Sequence, residues 1–227
     1  MEKKDRKTSV EKALDLIETL KEKDDLGVTE LSQILGLNKN YVFRLLATLE
    51  VIGLIEQDEE TGHYKLGIKT LQLEYAFIKN LEFLKKAKPF IKRLRNETNE
   101  TVYISLLHNN DIVYIYSEES RSSVLVHSRI AKRFPAEKTA PGRAILKSKK
   151  EKRKDFIFEY DIEKTEPEVS EIATIIKGDS KNIIAALSIV APISRLNEGN
   201  IHSEIKELLL STAMDISESL SPNPNLV

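Results

Sequence analysis

The sequence contains no cysteine and no tryptophan, and only 8 of its 227 residues are glycine. Without cysteine the chain can form no disulfide framework, no thiolate zinc site and no cysteine nucleophile. The glycines are scattered, and no glycine-rich phosphate loop follows a strand-like run. No apolar run approaches the length of a membrane span, and the first residues show no signal-peptide pattern. We therefore expect a cytoplasmic protein that uses no metal or other cofactor and does not enter the membrane.

The histidine and serine positions give no support to catalysis. The four histidines have no metal-ligand spacing with one another or with a carboxylate pair; they are His63, His108, His127 and His202. Ser105 and Ser188 lie inside strand-like runs, without the sharp strand-to-helix turn that exposes a serine nucleophile. We therefore expect a protein that is not an enzyme.

Two short helical patterns separated by a three-residue turn lie near the amino end. Residues 29–35 and residues 39–52 carry apolar side chains at helical spacing. The turn begins at Gly36, and a turn of this length makes the two helices cross steeply, as in a helix-turn-helix. An earlier helix, which ends near residue 21, is predicted from the capping-box spacing of Thr8 and Glu11.

A short hairpin is predicted directly after these helices. Gly53 has the position of a helix-ending residue, and two β-prone runs follow at residues 54–57 and 63–66 around a turn that ends in Gly62. Three helices followed by such a hairpin form a winged helix-turn-helix. The apolar residues that come next at helical spacing predict a linker helix.

The amino end of the second helix of the motif carries side chains suited to DNA. Asn38 is an N-cap candidate, and that role competes with base reading. Asn40 can pair with both hydrogen-bonding groups on an adenine edge, and Tyr41 can reach a phosphate. Arg44 lies one turn after Asn40, where it would contact a phosphate or a guanine. The residues predicted to contact DNA are Thr29, which is also the predicted N-cap of the preceding helix, Lys39, Asn40, Tyr41, Arg44 and the wing residue Lys65.

The average charge of this region is unfavourable for DNA binding. Residues 1–79 contain 12 Lys and Arg against 15 Asp and Glu, a net charge of −3. Phosphate binding depends on local cations rather than on the average, and these stand in the basic tail and at Lys39 with Arg44. The alternative for Arg44 is an ion pair with Glu30 or Glu50. We expect the acidic residues to face away from DNA.

The remainder of the chain alternates β-prone runs with helical patterns. Strand pairs are predicted around an Asn-Asn turn and around a Lys-Gly-Asp turn. The predicted strands are residues 101–107, 112–117, 123–127, 172–176 and 183–190. The predicted helices are residues 84–97, with a break at Pro89, 143–147, 149–160 and 202–220. This order describes an α+β domain built around an antiparallel sheet.

Five short stretches along the chain form a specific combination: SVEKAL at 9–14, LSQILGL at 31–37, RLLATL at 44–49, TAPGRAIL at 139–146 and ALSIVAP at 186–192, with Arg195. Through this combination nearly the whole chain resembles the IclR family of transcription regulators. The resemblance implies a winged helix-turn-helix DNA-binding domain (1–67), a linker helix (68–83) and a GAF-like domain for effector binding and oligomerisation (84–227). It also implies a homodimer, often paired into a tetramer, that binds palindromic double-stranded operators.

The resemblance places an effector pocket beside the loop that precedes the 143–147 helix. The residues implied to contact an effector are Thr139, Ala140, Gly142, Arg143 and Ser188, and Arg143 would pair with a carboxylate. The chain departs from the family pattern at two pocket positions, with Glu171 where a thiol is usual and Val190 where a small polar residue is usual. We therefore expect a smaller or more apolar pocket, which takes an apolar aromatic molecule or no ligand.

These patterns predict a DNA-binding transcriptional regulator that responds to a small-molecule effector. A dimer would place two recognition helices in successive major grooves, and an effector would change the spacing between them. One alternative is a constitutive DNA-binding dimer whose reduced second domain serves only oligomerisation. Another is a ligand sensor that acts through protein partners. The polarity of the pocket tests the first alternative, and a gel shift with upstream DNA tests the second.

Overall fold

The computed structural model of the protein describes residues 7–151, 156–179, 181–197, 199 and 204–221. The chain forms two units, Met1–Asn80 and Leu81–Val227. Among the described residues, no helix is both long and apolar enough to cross a membrane. The helix predicted as a linker lies within the first unit.

The first unit has the predicted order of three helices, a hairpin and a fourth helix. Its elements are α1 (Ser9–Glu22), α2 (Val28–Leu35), α3 (Lys39–Val51), β1 (Ile55–Gln57), β2 (Tyr64–Leu66) and α4 (Lys69–Lys79). A capping box starts α1, because the N–H of Glu11 donates to Oγ1 of Thr8 at 3.2 Å and the N–H of Thr8 donates to Oε2 of Glu11 at 2.6 Å. The core of the unit is a cluster of side chains from all three helices and the hairpin: Leu16, Leu20, Leu31, Val42, Leu46, Ile55 and Tyr64.

The turn between α2 and α3 follows the local chemistry of its residues. Gly36 ends α2 in the left-handed conformation, at φ 63°, which glycine adopts without steric cost. Asn38 then begins α3, since its Oδ1 accepts a hydrogen bond from the N–H of Asn40 at 2.9 Å. Gly53 ends α3 at φ 76°, and the next N–H, that of Leu54, donates back to the carbonyl of Leu49 at 2.9 Å. The predicted helix-turn-helix is confirmed.

The prediction of Thr29 as the N-cap of α2 is wrong. The helix begins at Val28, and its N-cap is Gly27, whose N–H donates to Oε2 of Glu30 at 2.8 Å. The carboxylate of Glu30 satisfies this end of the helix from within the first turn, so no capping side chain is needed before it. Thr29 is an exposed residue of that first turn.

The second unit is a six-stranded antiparallel sheet with three long helices. Its elements are α5 (Glu82–Thr98), β3 (Thr101–His108), β4 (Asp111–Glu118), β5 (Arg133–Pro135), α6 (Ala140–Glu151), β6 (Phe158–Ile162), β7 (Val169–Lys177), β8 (Ile183–Pro192) and α7 (Glu204–Leu220). The strand order is β5-β4-β3-β8-β7-β6. Helices α5 and α7 pack together, and α7 contacts β7 and β8. The α+β fold class is confirmed.

The candidate effector site lies on the face of the sheet that packs against α6. Alternate residues of the central strands form a cluster with α6 and with the connection between β4 and α6. The cluster contains Tyr103, Ile112, Tyr114, Ala136, Ala144, Ile145, Ile175, Ala186 and Val190. Because side chains alternate along a strand, Ser188, which lies between Ala186 and Val190, faces this same side.

Pro89 does not break α5, contrary to the prediction. Proline has no N–H to donate to the carbonyl of Lys85, but both residues lie on the exposed side of the helix, where water can bond that carbonyl. The buried side of the helix is uninterrupted, with Leu84, Ala87, Ile91 and Leu94 all inaccessible or nearly so. Burial of this stripe keeps the helix continuous.

Three other predicted elements of this unit are wrong. Residues 123–127 form no strand; β4 pairs instead with the edge strand β5 (Arg133–Pro135), where Phe134 packs edge-on against Tyr114 with ring centroids 5.9 Å apart. Helix α6 begins at Ala140 rather than at residue 143. Residues 158–160, predicted as helix, belong to β6, because pairing with β7 overrides their local pattern. The rest of that predicted helix reaches into residues 152–155, outside the described residues.

Candidate DNA-binding surface and effector site

The amino half of α3 presents an unpaired polar face. Lys39 and Asn40 are exposed in the first turn, and no hydrogen bond or ion pair among the described residues uses either side chain. Arg44 is also exposed one turn later. The alternative of an ion pair with Glu30 or Glu50 is not observed in the described part of the chain, and Glu30 instead bonds the start of α2. These cations and this amide are therefore available to a partner outside the chain.

Tyr41 is turned toward α1 rather than outward. Its hydroxyl donates to Oγ of Ser9 at 2.8 Å, and Nζ of Lys12 lies 5.0 Å from the centre of its ring. The ring is half-buried, so its first role is to hold the amino end of α1 against α3. The sequence analysis missed Lys12, which this contact brings beside α3 as an additional cation.

Phe43 is a second residue that the sequence analysis missed. It is 56% exposed, and it lies on the same side of α3 as Asn40 and Ala47, three residues after one and four before the other. An exposed aromatic ring is unfavourable unless it meets a partner, and apolar side chains in a major groove contact thymine methyl groups. The sequence signal was an apolar residue outside the stripe of Val42 and Leu46.

Among the described residues, the wing carries one cation without an ion-pair partner and one restrained histidine. Lys65 is exposed on β2 opposite Glu56. Nδ1 of His63 lies 3.1 Å from the carbonyl oxygen of Asp25, which ties the wing to the loop before α2. Asp58 accepts hydrogen bonds from the N–H groups and hydroxyl of the turn, above all from Thr61, and these lower the pKa of its carboxyl. The turn is therefore fixed as an acidic, ordered tip.

The residues implied to contact an effector around α6 mostly hold the fold. Thr139 is fully buried and is the N-cap of α6, since its Oγ1 accepts from the N–H of Gly142 at 3.2 Å. A side chain at Gly142 would meet the carbonyl oxygen of Ala136 at 2.0 Å, so only glycine fits there. Ala140 is buried in the same turn.

Arg143 is committed to partners within the chain. Its Nη1 donates to the carbonyl of Lys138 at 2.9 Å, its Nη2 donates to the carbonyl of Tyr160 at 2.6 Å, and its Nε lies 3.5 Å from Oε2 of Glu159. The side chain thus joins α6 to β6. Because all three nitrogens of its guanidinium contact groups within the chain, this geometry differs from that of a guanidinium available to a carboxylate ligand.

A buried polar centre lies where a more apolar pocket was expected. Arg129 and Glu171 are each 1% exposed, and Nη1 of Arg129 donates to Oε2 of Glu171 at 2.9 Å. Nε and Nη2 of Arg129 donate to Oε2 of Glu166 at 3.3 and 2.9 Å. The hydroxyl of Tyr114 lies 3.0 Å from both oxygens of Glu171. At the Glu171 position the expectation of a more apolar pocket is therefore wrong, and the alternative of a smaller pocket stays a prediction.

The electrostatics of this centre follow from its burial. Burial raises the pKa of the Glu171 carboxyl, and the adjacent Arg129 charge opposes that rise. Burial is also the main reason that the pKa of the Tyr114 hydroxyl is raised well above its ordinary value. Ser188 is fully buried near Glu171, close enough to favour its charged form, but among the described residues its hydroxyl makes no hydrogen bond of good geometry. Glu171 and Ser188 were singled out from the sequence, whereas Arg129 stands in an irregular segment without a signal.

An open cavity of about 620 Å³ adjoins the polar centre. We name it the acidic cavity; its lining residues are Val124, Leu125, Val126, His127, Glu166, Pro167, Glu168, Val169, Pro192, Ile193 and Ser194. Glu166 belongs to both the cavity and the polar centre. Within the described residues, no group of His, Asp and Glu side chains could hold a metal ion.

Two family models match the chain: the IclR helix-turn-helix domain over residues 9–59 and the bacterial transcriptional regulator IclR C-terminal domain over residues 75–167. The HTH-type transcriptional regulator XynR of Escherichia coli (strain K12) is 25% identical, covering 93% of this chain and 96% of its own. KdgR of Dickeya chrysanthemi is 26% identical, covering 95% and 81%. An IclR homolog from Microbacterium hydrocarbonoxydans, solved in complex with 4-hydroxybenzoate, has a TM-score of 0.74 at 16% identity, covering 94% and 99%.

Proposed function

This chain belongs to the IclR family of transcriptional regulators. From that premise we propose that it binds operator DNA through the amino half of α3. We further propose that its affinity for DNA changes when a small molecule binds its second unit. The family are DNA-binding regulators rather than enzymes. The proposal includes a cytoplasmic location. The observation that carries it is a set of exposed α3 side chains for which the described residues provide no hydrogen-bond or ion-pair partner: Lys39, Asn40, Phe43 and Arg44.

Each of these side chains has a role that its chemistry favours. Asn40 can form two hydrogen bonds with an adenine edge, and Arg44 can bond a guanine edge or a phosphate. Lys39, near the start of α3, and Lys65, on the wing, supply phosphate contacts. Thr29 and Tyr41 remain predicted contacts: Thr29 is exposed at the start of α2, and Tyr41 contributes mainly by positioning α1.

The apolar surface of α4 supports a homodimer as the DNA-binding form. None of its residues is buried, and four of its large apolar side chains are more than half exposed: Leu71, Leu73, Tyr75 and Phe77, together with Ile68 just before it. Such a surface is unfavourable in water and is suited to a second copy of the same chain. Two copies related by a twofold axis would read a palindromic operator with half-sites about one helical turn apart, about 34–36 Å. Pairing of dimers into a tetramer is part of the same proposal.

The effector is proposed to bind on the α6 side of the sheet. Thr139, Ala140 and Gly142 fix the start of α6, Arg143 joins it to β6, and Ser188 offers an unbonded hydroxyl on the sheet face. The 4-hydroxybenzoate in the Microbacterium hydrocarbonoxydans homolog makes a small organic ligand plausible for this fold. A second unit that served only oligomerisation would require neither a buried polar centre nor an open cavity on this face of the sheet. The alternative of a constitutive DNA-binding dimer is therefore disfavoured.

The test is DNA binding by matched single variants. Fluorescence anisotropy would use a duplex taken from upstream of the protein's own gene, at fixed salt. Arg44→Ala and Asn40→Ala should each weaken binding by about 1–3 kcal/mol if they read bases. Arg121→Ala, which removes an exposed arginine from the second unit, serves as the control and should bind like the wild type. Wild-type affinity in both α3 variants would mean that another face contacts DNA.

A further inference from the structure

The polar centre contains one cation for two carboxyl groups. Arg129 supplies one cation to two carboxylates, those of Glu166 and Glu171. Both oxygens of Glu171 accept hydrogen bonds within the centre. Glu166 uses only Oε2 for Arg129, and no hydrogen bond among the described residues uses its Oε1. The side chain of Glu166 is 27% exposed, so this free oxygen belongs to a group that reaches solvent through the cavity.

The acidic cavity and the polar centre lie next to each other along one face of the sheet. Val169 and Pro192, which line the cavity, lie opposite each other on β7 and β8. The next pair on the same face is Glu171 with Val190, because side chains two residues apart share a face. Ser188, with its buried and unbonded hydroxyl, follows on the same face. A ligand in the cavity therefore lies directly beside the polar centre.

The lining of the cavity combines an apolar wall with negative charge. Seven of its lining residues are valine, leucine, isoleucine or proline. Among the described residues that line it, the charged ones are Glu166 and Glu168, none is a lysine or arginine, and His127 is the only other titratable group. An apolar body with a positive charge matches this combination.

The centre already holds one guanidinium, that of Arg129. The Cζ atom of Arg129 lies 5.6 Å from the ring centre of Tyr114 and 5.7 Å from that of Phe134, within the range of cation–π attraction. Each of its three guanidinium nitrogens donates to a carboxylate. The nitrogens of Arg129 are therefore directed at Glu166 and Glu171 and not toward the cavity. An anion in the cavity would instead face the carboxylates of Glu166 and Glu168.

We propose that the acidic cavity binds an organic cation, an amine, amidine or guanidinium on an apolar body, with Glu166 as its ion-pair partner. The inference rests on the proposed function, because it names the ligand class of the effector site. It departs from the expectation that Arg143 receives a carboxylate. The positive charge of the ligand neutralises the carboxylate charge that Arg129 leaves unbalanced.

Three probes of one shape and different charge test the ligand class on the full-length chain: benzamidine, benzamide and benzoate. Isothermal titration calorimetry should show binding in the order benzamidine, benzamide, benzoate. Glu166→Gln should weaken benzamidine by about ten-fold or more, since it removes the charge of the partner. Glu137→Gln, at an exposed glutamate away from the cavity, should leave benzamidine binding unchanged.

A positive charge added to the apolar wall keeps the test independent of the polar centre. Leu125 is half exposed, so Leu125→Lys should fold, and it should weaken benzamidine while it strengthens benzoate. The proposal is overturned if benzoate binds the wild type as well as benzamidine does, if no probe binds, or if both variants leave benzamidine affinity unchanged. The anisotropy assay with upstream DNA is run in parallel, so that intact DNA binding with a failed ligand test contradicts this inference alone.

Discussion

Nη1 of Arg129 lies 2.9 Å from Oε2 of Glu171, and each of these side chains is 1% exposed. Two opposite charges are thus withdrawn from water together. Neither is stable there without the other, because a single buried charge loses its hydration without compensation. The pair fixes an irregular segment of chain between β4 and β5 to the face of the sheet, and it sets the charge of the adjoining cavity.

Removal of the cation alone should be costly. We expect Arg129→Met to lower the free energy of unfolding by about 3–5 kcal/mol, because Glu171 is left buried without its partner. The double variant Arg129→Met with Glu171→Leu should recover most of this loss, since no unpaired charge remains. Urea denaturation of the three proteins measures the difference. A double variant no more stable than the single one would show that the pair contributes through packing instead.

The pH dependence of the Arg129→Met variant should reveal the same carboxyl. Burial raises the pKa of Glu171 above its ordinary value of 4.5, and the loss of Arg129 removes the charge that opposes this rise. The folded variant then holds a proton more tightly than the unfolded chain does, so its stability relative to the wild type increases as the pH falls from 8 toward the ordinary value. Urea midpoints at a series of pH values check this, and a constant difference between the two proteins would contradict it.

The ring of Phe43 should contact the methyl group of a thymine base in the operator. Phe43→Ala should weaken operator binding by about 1 kcal/mol for each thymine methyl that the ring covers. In operator DNA that carries deoxyuridine in place of thymine, the wild type should lose affinity and the variant should lose none further. Val51→Ala, an apolar truncation at the exposed end of α3, is the matched control and should respond to the missing methyl as the wild type does. An equal response of wild type and Phe43→Ala to deoxyuridine would exclude this role.

The side of α4 that carries Leu71 and Tyr75, which are four residues apart and share a face, should hold two copies together. Leu71→Glu combined with Tyr75→Glu places two charges on that face, and neither residue is buried within the chain. We expect sedimentation to change from dimer to monomer while the helical circular dichroism signal is retained, because the only polar or ring contact of these two side chains among the described residues is that of the Tyr75 ring with Lys79, on the surface of the helix. Gln72→Glu adds a charge at a polar position of the same helix and should remain dimeric. If the double variant stays dimeric, the dimer interface does not include this side of α4.

Gly142 should tolerate no side chain. In Gly142→Ala the new Cβ would lie 2.0 Å from the carbonyl oxygen of Ala136, so the start of α6 must shift. We expect a loss of about 1–3 kcal/mol or more in the free energy of unfolding, as in other overpacked sites. At Gly27 the same substitution meets only side-chain atoms at 3.3 Å or more, and it should cost less. Thermal and urea unfolding of both variants give the comparison.

The elements that could be predicted from the sequence are those whose signals are local. The left-handed Gly36, the Asn38 cap and the apolar stripe of α3 lie within one or two turns of one another, so the helix-turn-helix is specified by neighbours along the chain. Local signals failed where a distant partner decided the outcome. Residues 158–160 became a strand because β7 pairs with them, and residues 123–127 did not because β4 pairs with 133–135.

The orientation of side chains at both sites also came from contacts that are distant in sequence. Tyr41 had the residue type and position for a phosphate contact, but its hydroxyl bonds Ser9, 32 residues away. The sequence pointed to Glu171 as a departure from the family pattern but gave no partner for it. Its partner Arg129 is 42 residues away and lies in a segment without periodicity.

By itself, the sequence determined the family, the helix-turn-helix and the presence of a sheet domain, because capping, turn and periodicity signals act between residues that are near in the chain. The tertiary structure decided which of the candidate side chains remain free for DNA and what charge the second unit presents to a ligand. Those properties depend on burial and on the pairing of charges across strands, and both arise only when distant segments pack together.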